Sequence, residues 1–341
     1  MSNHGQLEAT ARALVAPGKG ILAADESSGT IKKRFDTISL ESTEDNRRAY
    51  REMLFTTKGL GDHISGVILF DETLRQDSSS GQPLSKILES SGMIPGIKVD
   101  AGAKDLAGFP GEQVTEGLDG LRERLAEYAK LGARFTKWRA VINIDPDDRP
   151  TPFAIEANAH ALARHAALAQ EAGLVPIVEP EVLMDGDHSI ERCHAATEAT
   201  LNALFEQLYR HQVTLEGTLL KTNMVLPGKK CSTQATPQQV AEQTLRCFYN
   251  TVPAAIPGIV FLSGGQDDVP ATVHLNEMNT LGPHPWELSF SYGRALQAPA
   301  IKAWKGEEAN VAAGQKELLH RAKCNGAARD GRYSDEMESA A

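Results

Sequence analysis

Phe135-Thr136-Lys137-Trp138-Arg139-Ala140-Val141-Ile142-Asn143-Ile144 is an apolar, β-branched run carrying two cations at alternate positions. An amphipathic stretch over residues 153–172 ends at Gly173, and a second apolar run occupies 174–182. Branched residues and short length make the two runs strands; greater length and a terminal glycine make the middle a helix. Strand, helix, strand is the repeating unit of a parallel sheet. Outward from it, similar runs lie at 20–26, 64–70, 96–101, 217–225, 258–263 and 288–293, giving eight strand candidates. Helical patterns fill the gaps: Asp119 precedes 121–130 with Gly132 beyond, 190–211 forms a long stretch, and Thr236-Pro237-Gln238-Gln239 has the layout of a capping box with proline at the first helical position. Eight alternations predict an α/β chain closed into a (β/α)8 barrel. An open doubly wound sheet alternates likewise, but no Gly-x-Gly-x-x-Gly follows the first strand, where Gly29 stands alone.

The 341 residues suit one barrel with extensions. One domain over 1–341 is expected, with barrel strands within about 20–296, a short N-terminal helix, and a C-terminal helix and tail over 297–341 whose polar end, from Asn325 to Ala341, reads as loose. Against 45 Asp and Glu stand 35 Lys and Arg, a net charge of -10, which argues against non-specific binding to nucleic acid or anionic membranes and requires a locally basic pocket for any anionic substrate. Cys193, Cys231, Cys247 and Cys324 are scattered without Cys-x-x-Cys spacing, so free thiols in a reducing cytosol are expected rather than a disulfide framework or zinc ribbon. Residues 1–17 lack the charged-then-apolar order of a secretion signal, and no apolar run reaches the ~18 residues of a membrane span. A cytoplasmic protein is expected.

In a barrel the C-terminal ends of the strands build the site. Seven of the eight runs end in charge or glycine: Asp25-Glu26-Ser27, Lys98-Val99-Asp100, Lys137-Trp138-Arg139, Glu179-Pro180-Glu181, Lys221, Ser263-Gly264-Gly265 and Gly293-Arg294. Buried charges are costly unless paired or used, and period-two alternation puts Lys137 with Arg139, and Glu179 with Glu181, on one face. Lys221 closes the apolar stretch Gly217-Thr218-Leu219-Leu220. Burial and a neighbouring cation such as Lys137 favour its neutral amine, a nucleophile that attacks a carbonyl to form a Schiff base. Asp25 and Glu179 are candidates for proton transfer. Ser263, Gly264, Gly265, Gly293 and Arg294 stand where barrels bind phosphate, and Lys98, Arg139 and Arg34 are candidates for a second phosphate across the mouth. A doubly phosphorylated sugar fits a pocket with two cationic ends. No metal set declares itself: His160 and His165 are five apart, and Asp185-Gly186-Asp187-His188 lacks a calcium-loop layout and reads as a polar turn.

Together with 20–27, 96–100, 137–139, 177–181, 216–221, 261–266 and 291–296, these motifs closely resemble class I fructose-bisphosphate aldolases, in order from about residue 18 to 333. The resemblance implies a homotetrameric (β/α)8 enzyme that needs no cofactor and reversibly cleaves fructose 1,6-bisphosphate to dihydroxyacetone phosphate and glyceraldehyde 3-phosphate. It implies Lys221 as the Schiff-base lysine, Glu179 as the main proton-transfer carboxylate with Glu181 in support, Asp25 near the C4 hydroxyl and Lys137 positioning the intermediate. Ser263, Gly264, Gly293 and Arg294 match the C1-phosphate site; Ser27, Lys98, Arg139 and Arg34 match the C6-phosphate end, and Thr30 keeps a hydroxyl where animal members often have serine. Fructose 1-phosphate and sedoheptulose bisphosphate stay open as substrates, a metal-dependent aldolase as a rival chemistry and a catalytically silent scaffold as a rival class. Many members end in a terminal tyrosine that helps exchange the C3 proton; here Glu338-Ser339-Ala340-Ala341 stands instead, so slower or differently catalysed enamine protonation is expected, with no such role for Tyr333. Thr222 replaces the proline usual after the lysine in animal forms, with little effect expected on the chemistry.

Overall fold

The computed structural model describes residues 3–145 and 149–339. Eight parallel strands form a closed barrel: β1 (Gly20–Ala24), β2 (Ile64–Leu69), β3 (Ile94–Lys98), β4 (Phe135–Ile142), β5 (Val175–Val182), β6 (Leu219–Leu220), β7 (Gly258–Phe261) and β8 (Glu287–Tyr292). Each pairs with its neighbours in chain order, and β8 returns to β1 through the register Ile21↔Ser291 and Leu22↔Tyr292. Helices join successive strands on the outside, so the expected (β/α)8 barrel is the observed architecture. The capping box is present: Thr236 Oγ1 accepts from the Gln239 amide at 3.2 Å and Gln239 Oε1 from the Thr236 amide at 2.9 Å.

Two apolar layers hold the fold. One lies between barrel and helices; the other fills the lumen, where Ile21, Phe135, Ile177, Leu219 and Val260 meet Leu7, Ala11, Leu14 and Val15 of the N-terminal segment, whose helix spans Asn3–Leu14. This segment closes the end of the barrel opposite the site. Glycines make the room: a Cβ at Gly66 would lie 2.6 Å from Leu14 Cδ2, and one at Gly96 2.2 Å from the Phe135 ring.

Three expectations change. The run 217–225 forms a strand only at Leu219–Leu220, although the Lys221 amide still donates to Val178 O at 2.9 Å and the Leu262 amide to Thr222 O at 3.1 Å. Beyond Lys221 the side chain of Asn223 takes over, its Oδ1 accepting from the Val182 amide at 3.0 Å. An antiparallel hairpin, Ala103–Asp105 with Gln113–Thr115, follows β3 and buttresses β4 through Thr115 Oγ1, which donates to Arg139 O at 2.7 Å. The C-terminal region expected to be loose is ordered over its described part. Asn325 is buried inside the helix Val311–Arg329, where it bonds Thr272 and Arg321 O, and Arg329 donates to Val15 O. The short turn Asp335–Ser339 returns to this helix through an ion pair between Glu338 and Arg321; Ala340 and Ala341 lie outside the described residues.

Candidate active site

Barrel closure gathers the strand ends into one mouth, a cavity of ≈ 730 Å³. All fifteen residues singled out in the sequence line it: Asp25, Ser27, Thr30 and Arg34 after β1; Lys98 on β3; Lys137 and Arg139 on β4; Glu179 and Glu181 on β5; Lys221 after β6; Ser263, Gly264 and Gly265 after β7; and Gly293 and Arg294 after β8.

At its centre four charged side chains form a chain of contacts. Lys221 Nζ lies 3.2 Å from Glu179 Oε1, Glu179 Oε2 lies 3.3 Å from Lys137 Nζ, and Lys137 Nζ lies 2.6 Å from Asp25 Oδ2. Lys221, Lys137 and Glu179 are each less than 5% exposed, so solvent screens this array poorly. Burial alone pushes the Asp25 carboxyl up, but the Lys137 and Lys221 ammoniums outweigh it and hold it at about 2. For Lys137, burial pushes down and the Asp25 and Glu179 carboxylates more than reverse it, so this lysine stays a cation. The two buried lysines therefore differ in company: Lys137 sits between two carboxylates, whereas Lys221 touches one.

Ionised Asp25 also stabilises the fold in a pH-dependent way. Its carboxyl ordinarily titrates at 3.8 and here at about 2, so the contribution is complete above about pH 4 and is lost as pH falls through about 2. The urea-unfolding advantage of the wild type over Asp25→Asn is expected to narrow across that interval; a gap that stays constant there would overturn the assignment.

Around this centre stand the two cationic ends. On one side Lys98 Nζ bonds the Asp100 carboxylate at 2.5 Å, and the other oxygen of Asp100 accepts from the Arg139 amide at 3.2 Å. Arg139 Nε reaches Glu181 at 2.5 Å, and Ser27 Oγ lies 3.2 Å from Thr30 Oγ1. Burial lowers Arg139, and the Glu181 carboxylate more than compensates. After β7, Gly264 and Gly265 take φ of 58° and 90°, the left-handed region that glycine enters without strain. Arg294, the first residue of the helix Arg294–Trp304, donates to Gly265 O and Gln266 O. Glycine turn, helix N-terminus and guanidinium together suit an anion.

Several neighbours were not singled out in the sequence. Asp71, Arg124 and Tyr128 also line the mouth. Asp71 directly follows the apolar run 64–70, one residue beyond β2, so the strand-end rule applied to that run would have found it. Lys229 Nζ, paired with Asp185 at 3.0 Å, stands 2.5 Å from where a Cβ on Gly265 would be, which puts a further ammonium beside the glycine turn. Glu26, next to Asp25, faces away from the central lysines: its Oε1 accepts from Gln297 Nε2 at 2.8 Å and its Oε2 meets Arg51 Nη2 at 2.8 Å. The same Gln297 amide donates to Ala23 O at 2.7 Å, and Tyr50 OH donates to Gln297 Oε1 at 2.9 Å. A buried polar clasp thus ties the β1 loop to the helix after β8.

The histidines considered as ligands are separated. His165 is fully buried against Trp138, with Nε2 2.8 Å from Thr136 Oγ1, and burial lowers it to about 3; His160 packs instead against His211. Residues 185–188 form a turn that the Gly228 amide joins by donating to His188 O.

Comparison with known proteins identifies the family. The family model for class I fructose-bisphosphate aldolase matches residues 6–341. A protein of Xanthomonas campestris pv. campestris named "Probable fructose-bisphosphate aldolase class 1" is 61% identical over 96% of this chain and 98% of its own. Fructose-bisphosphate aldolase 1 of Toxoplasma gondii is 55% identical over 96% and 91%. A solved structure of fructose-bisphosphate aldolase from Plasmodium falciparum superposes with a TM-score of 0.97 at 52% identity, covering 98% of this chain and 96% of that one. With a family match over nearly its whole length and relatives this similar end to end, the chain belongs to the class I fructose-bisphosphate aldolase family.

Proposed function

We propose that this aldolase, which reversibly cleaves fructose 1,6-bisphosphate to dihydroxyacetone phosphate and glyceraldehyde 3-phosphate, works through a Schiff base on Lys221. The observation that carries the reading is Glu179, whose two oxygens lie 3.2 and 3.3 Å from the Lys221 and Lys137 amines. A carboxylate so placed takes a proton from Lys221 to free the nucleophile. The amine attacks the C2 carbonyl; Glu179 then returns a proton to the carbinolamine oxygen, which leaves as water, and an iminium remains.

The iminium withdraws electrons from the C3–C4 bond. Asp25, held ionised beside Lys137, faces the C4 hydroxyl, whose proton passes to Asp25 or Glu179 as that bond breaks and glyceraldehyde 3-phosphate departs. Lys137, kept cationic by its two neighbours, offsets negative charge developing on oxygen. Protonation of the enamine at C3 and hydrolysis of the imine release dihydroxyacetone phosphate. Tyr333 lies outside the mouth, donating to Glu338 Oε1 at 2.8 Å, which supports leaving it out of the C3 step.

Ser263, Gly264, Gly265, Gly293, Arg294 form the C1-phosphate end and Ser27, Thr30, Arg34, Lys98, Arg139 the C6-phosphate end, with Glu181 fixing Arg139. The two groups line the same mouth as Lys221, which supports a bisphosphate as the substrate. Cytoplasmic location and a homotetrameric assembly complete the reading, supported by cytosolic isozymes among the relatives, such as that of Arabidopsis thaliana, and by the family resemblance.

Borohydride reduction in the presence of dihydroxyacetone phosphate, followed by peptide mass mapping, tests it. A stable adduct on Lys221 is expected. Cleavage without an adduct, abolished by a chelator, would overturn the reading in favour of metal-assisted chemistry.

A further inference from the structure

His320 and Cys324 lie one turn apart on the helix Val311–Arg329, and so share a face. The chain leaves that helix, turns at Gly331 and lays Asp335–Ser339 back against it. Glu338 arrives with Oε2 3.7 Å from His320 Nε2, which itself lies 3.8 Å from Cys324 Sγ, and the three atoms all fall within 4.8 Å of one another. Cys324 is buried, and the His320 and Glu338 side chains are only 13% and 25% exposed. None of the three lines the catalytic mouth.

Imidazole nitrogen, thiolate sulfur and carboxylate oxygen are the donors zinc prefers, and tetrahedral zinc spaces such atoms by about 3.3–3.6 Å. The two spacings from His320 Nε2 need close by only a few tenths of an ångström, and the third, between Cys324 Sγ and the Glu338 carboxylate, starts within 4.8 Å. Glu338 Oε1 is engaged by Tyr333 OH and Arg321, whereas Oε2, though also touched by Arg321, faces the histidine. Charge favours a dication as well. Glu338 and Asp268 place two negative charges beside the single positive charge of buried Arg321, whose Nε lies 3.9 Å from Asp268 Oδ2. One Zn²⁺ entering as the thiol gives its proton to solvent brings the group to neutrality.

We propose that His320, Cys324 and Glu338 bind one Zn²⁺ ion, with water as the fourth ligand, and that the ion latches the segment after the last long helix onto that helix. The pairing escapes a motif search because two ligands are four apart within a helix and the third comes from a different element.

Metal-stripped full-length protein, kept reduced and titrated with Co²⁺, is expected to develop a thiolate-to-cobalt charge-transfer band that saturates at one equivalent and is displaced by Zn²⁺. Cys324→Ser should abolish the band, and His320→Gln or Glu338→Gln should weaken Zn²⁺ binding by more than about 100-fold, beyond the usual loss on removing an outer-shell partner. Zn²⁺ should also slow amide exchange over residues 333–339 in the wild type and not in Cys324→Ser. Retained aldol cleavage reports that each variant is folded, and His320→Gln serves if Cys324→Ser is not. Absence of the band in the wild type, or its persistence in Cys324→Ser, would overturn the proposal.

Discussion

Lys221→Met is expected to lower kcat for fructose 1,6-bisphosphate cleavage by roughly 10⁴–10⁶-fold, the scale on which deleting a covalent nucleophile acts. Methionine nearly matches the lysine stem in length and can enter the same slot, where Lys221 is 4% exposed. Glu179 keeps its contact with Lys137 at 3.3 Å, so no buried carboxylate is stranded and the barrel should stay folded. The variant should therefore still bind bisphosphate through both cationic ends, measurable by calorimetry, while giving no borohydride adduct. Cleavage within 100-fold of the wild-type rate, in this variant and at a cost of only about 3 kcal/mol, would rule out Lys221 as the nucleophile.

A second large effect is expected at an ion pair with no assigned part in the chemistry. Arg51→Met should destabilise the protein by about 3–5 kcal/mol, because it leaves the Glu26 carboxylate buried without its cation. Arg51 and Glu26 side chains are 3% and 9% exposed, so water cannot replace the lost partner. Glu26→Gln in the same chain should restore much of that loss, since the amide oxygen still accepts from Gln297 and no charge remains. Urea-unfolding midpoints of the two single variants and the double variant test this. Strict additivity would mean that the two side chains do not act as a pair. The effect should reach catalysis too: Asp25 and Ser27 flank Glu26, so loosening the clasp frees the loop that carries them.

The architecture was legible because barrel strands are short apolar runs and the helices between them carry ends that chemistry dictates, as at Thr236 and Gln239. The mouth was legible for a related reason. Once the strands are parallel and closed, every strand end points to one place, so Lys137, Glu179 and Lys221 meet although they are far apart in sequence. What stayed hidden depends on pairings between unrelated elements. Glu26 stood in plain view beside Asp25, but Arg51 and Gln297 come from helices whose spacing says nothing of that loop. The apolar run around Leu219 reads as nine residues of strand, and only the side chain of Asn223, standing in for backbone pairing, reveals why two suffice. The C-terminal region looked loose because its composition is polar; in place, Arg321, Thr272 and Tyr333 satisfy those polar groups.

The Gln297 clasp has a consequence for biosynthesis. Its amide holds Ala23 and Glu26 across 274 and 271 positions of chain, so the loop bearing Asp25 waits for a partner made long after it. At ordinary elongation rates that interval is roughly 15–50 s. Throughout it the first strand has one open edge, and the nascent polypeptide must be kept from pairing with its neighbours on the same messenger. The catalytic mouth is thus completed late, and substrate can neither template nor stabilise the chain until most of it has been made.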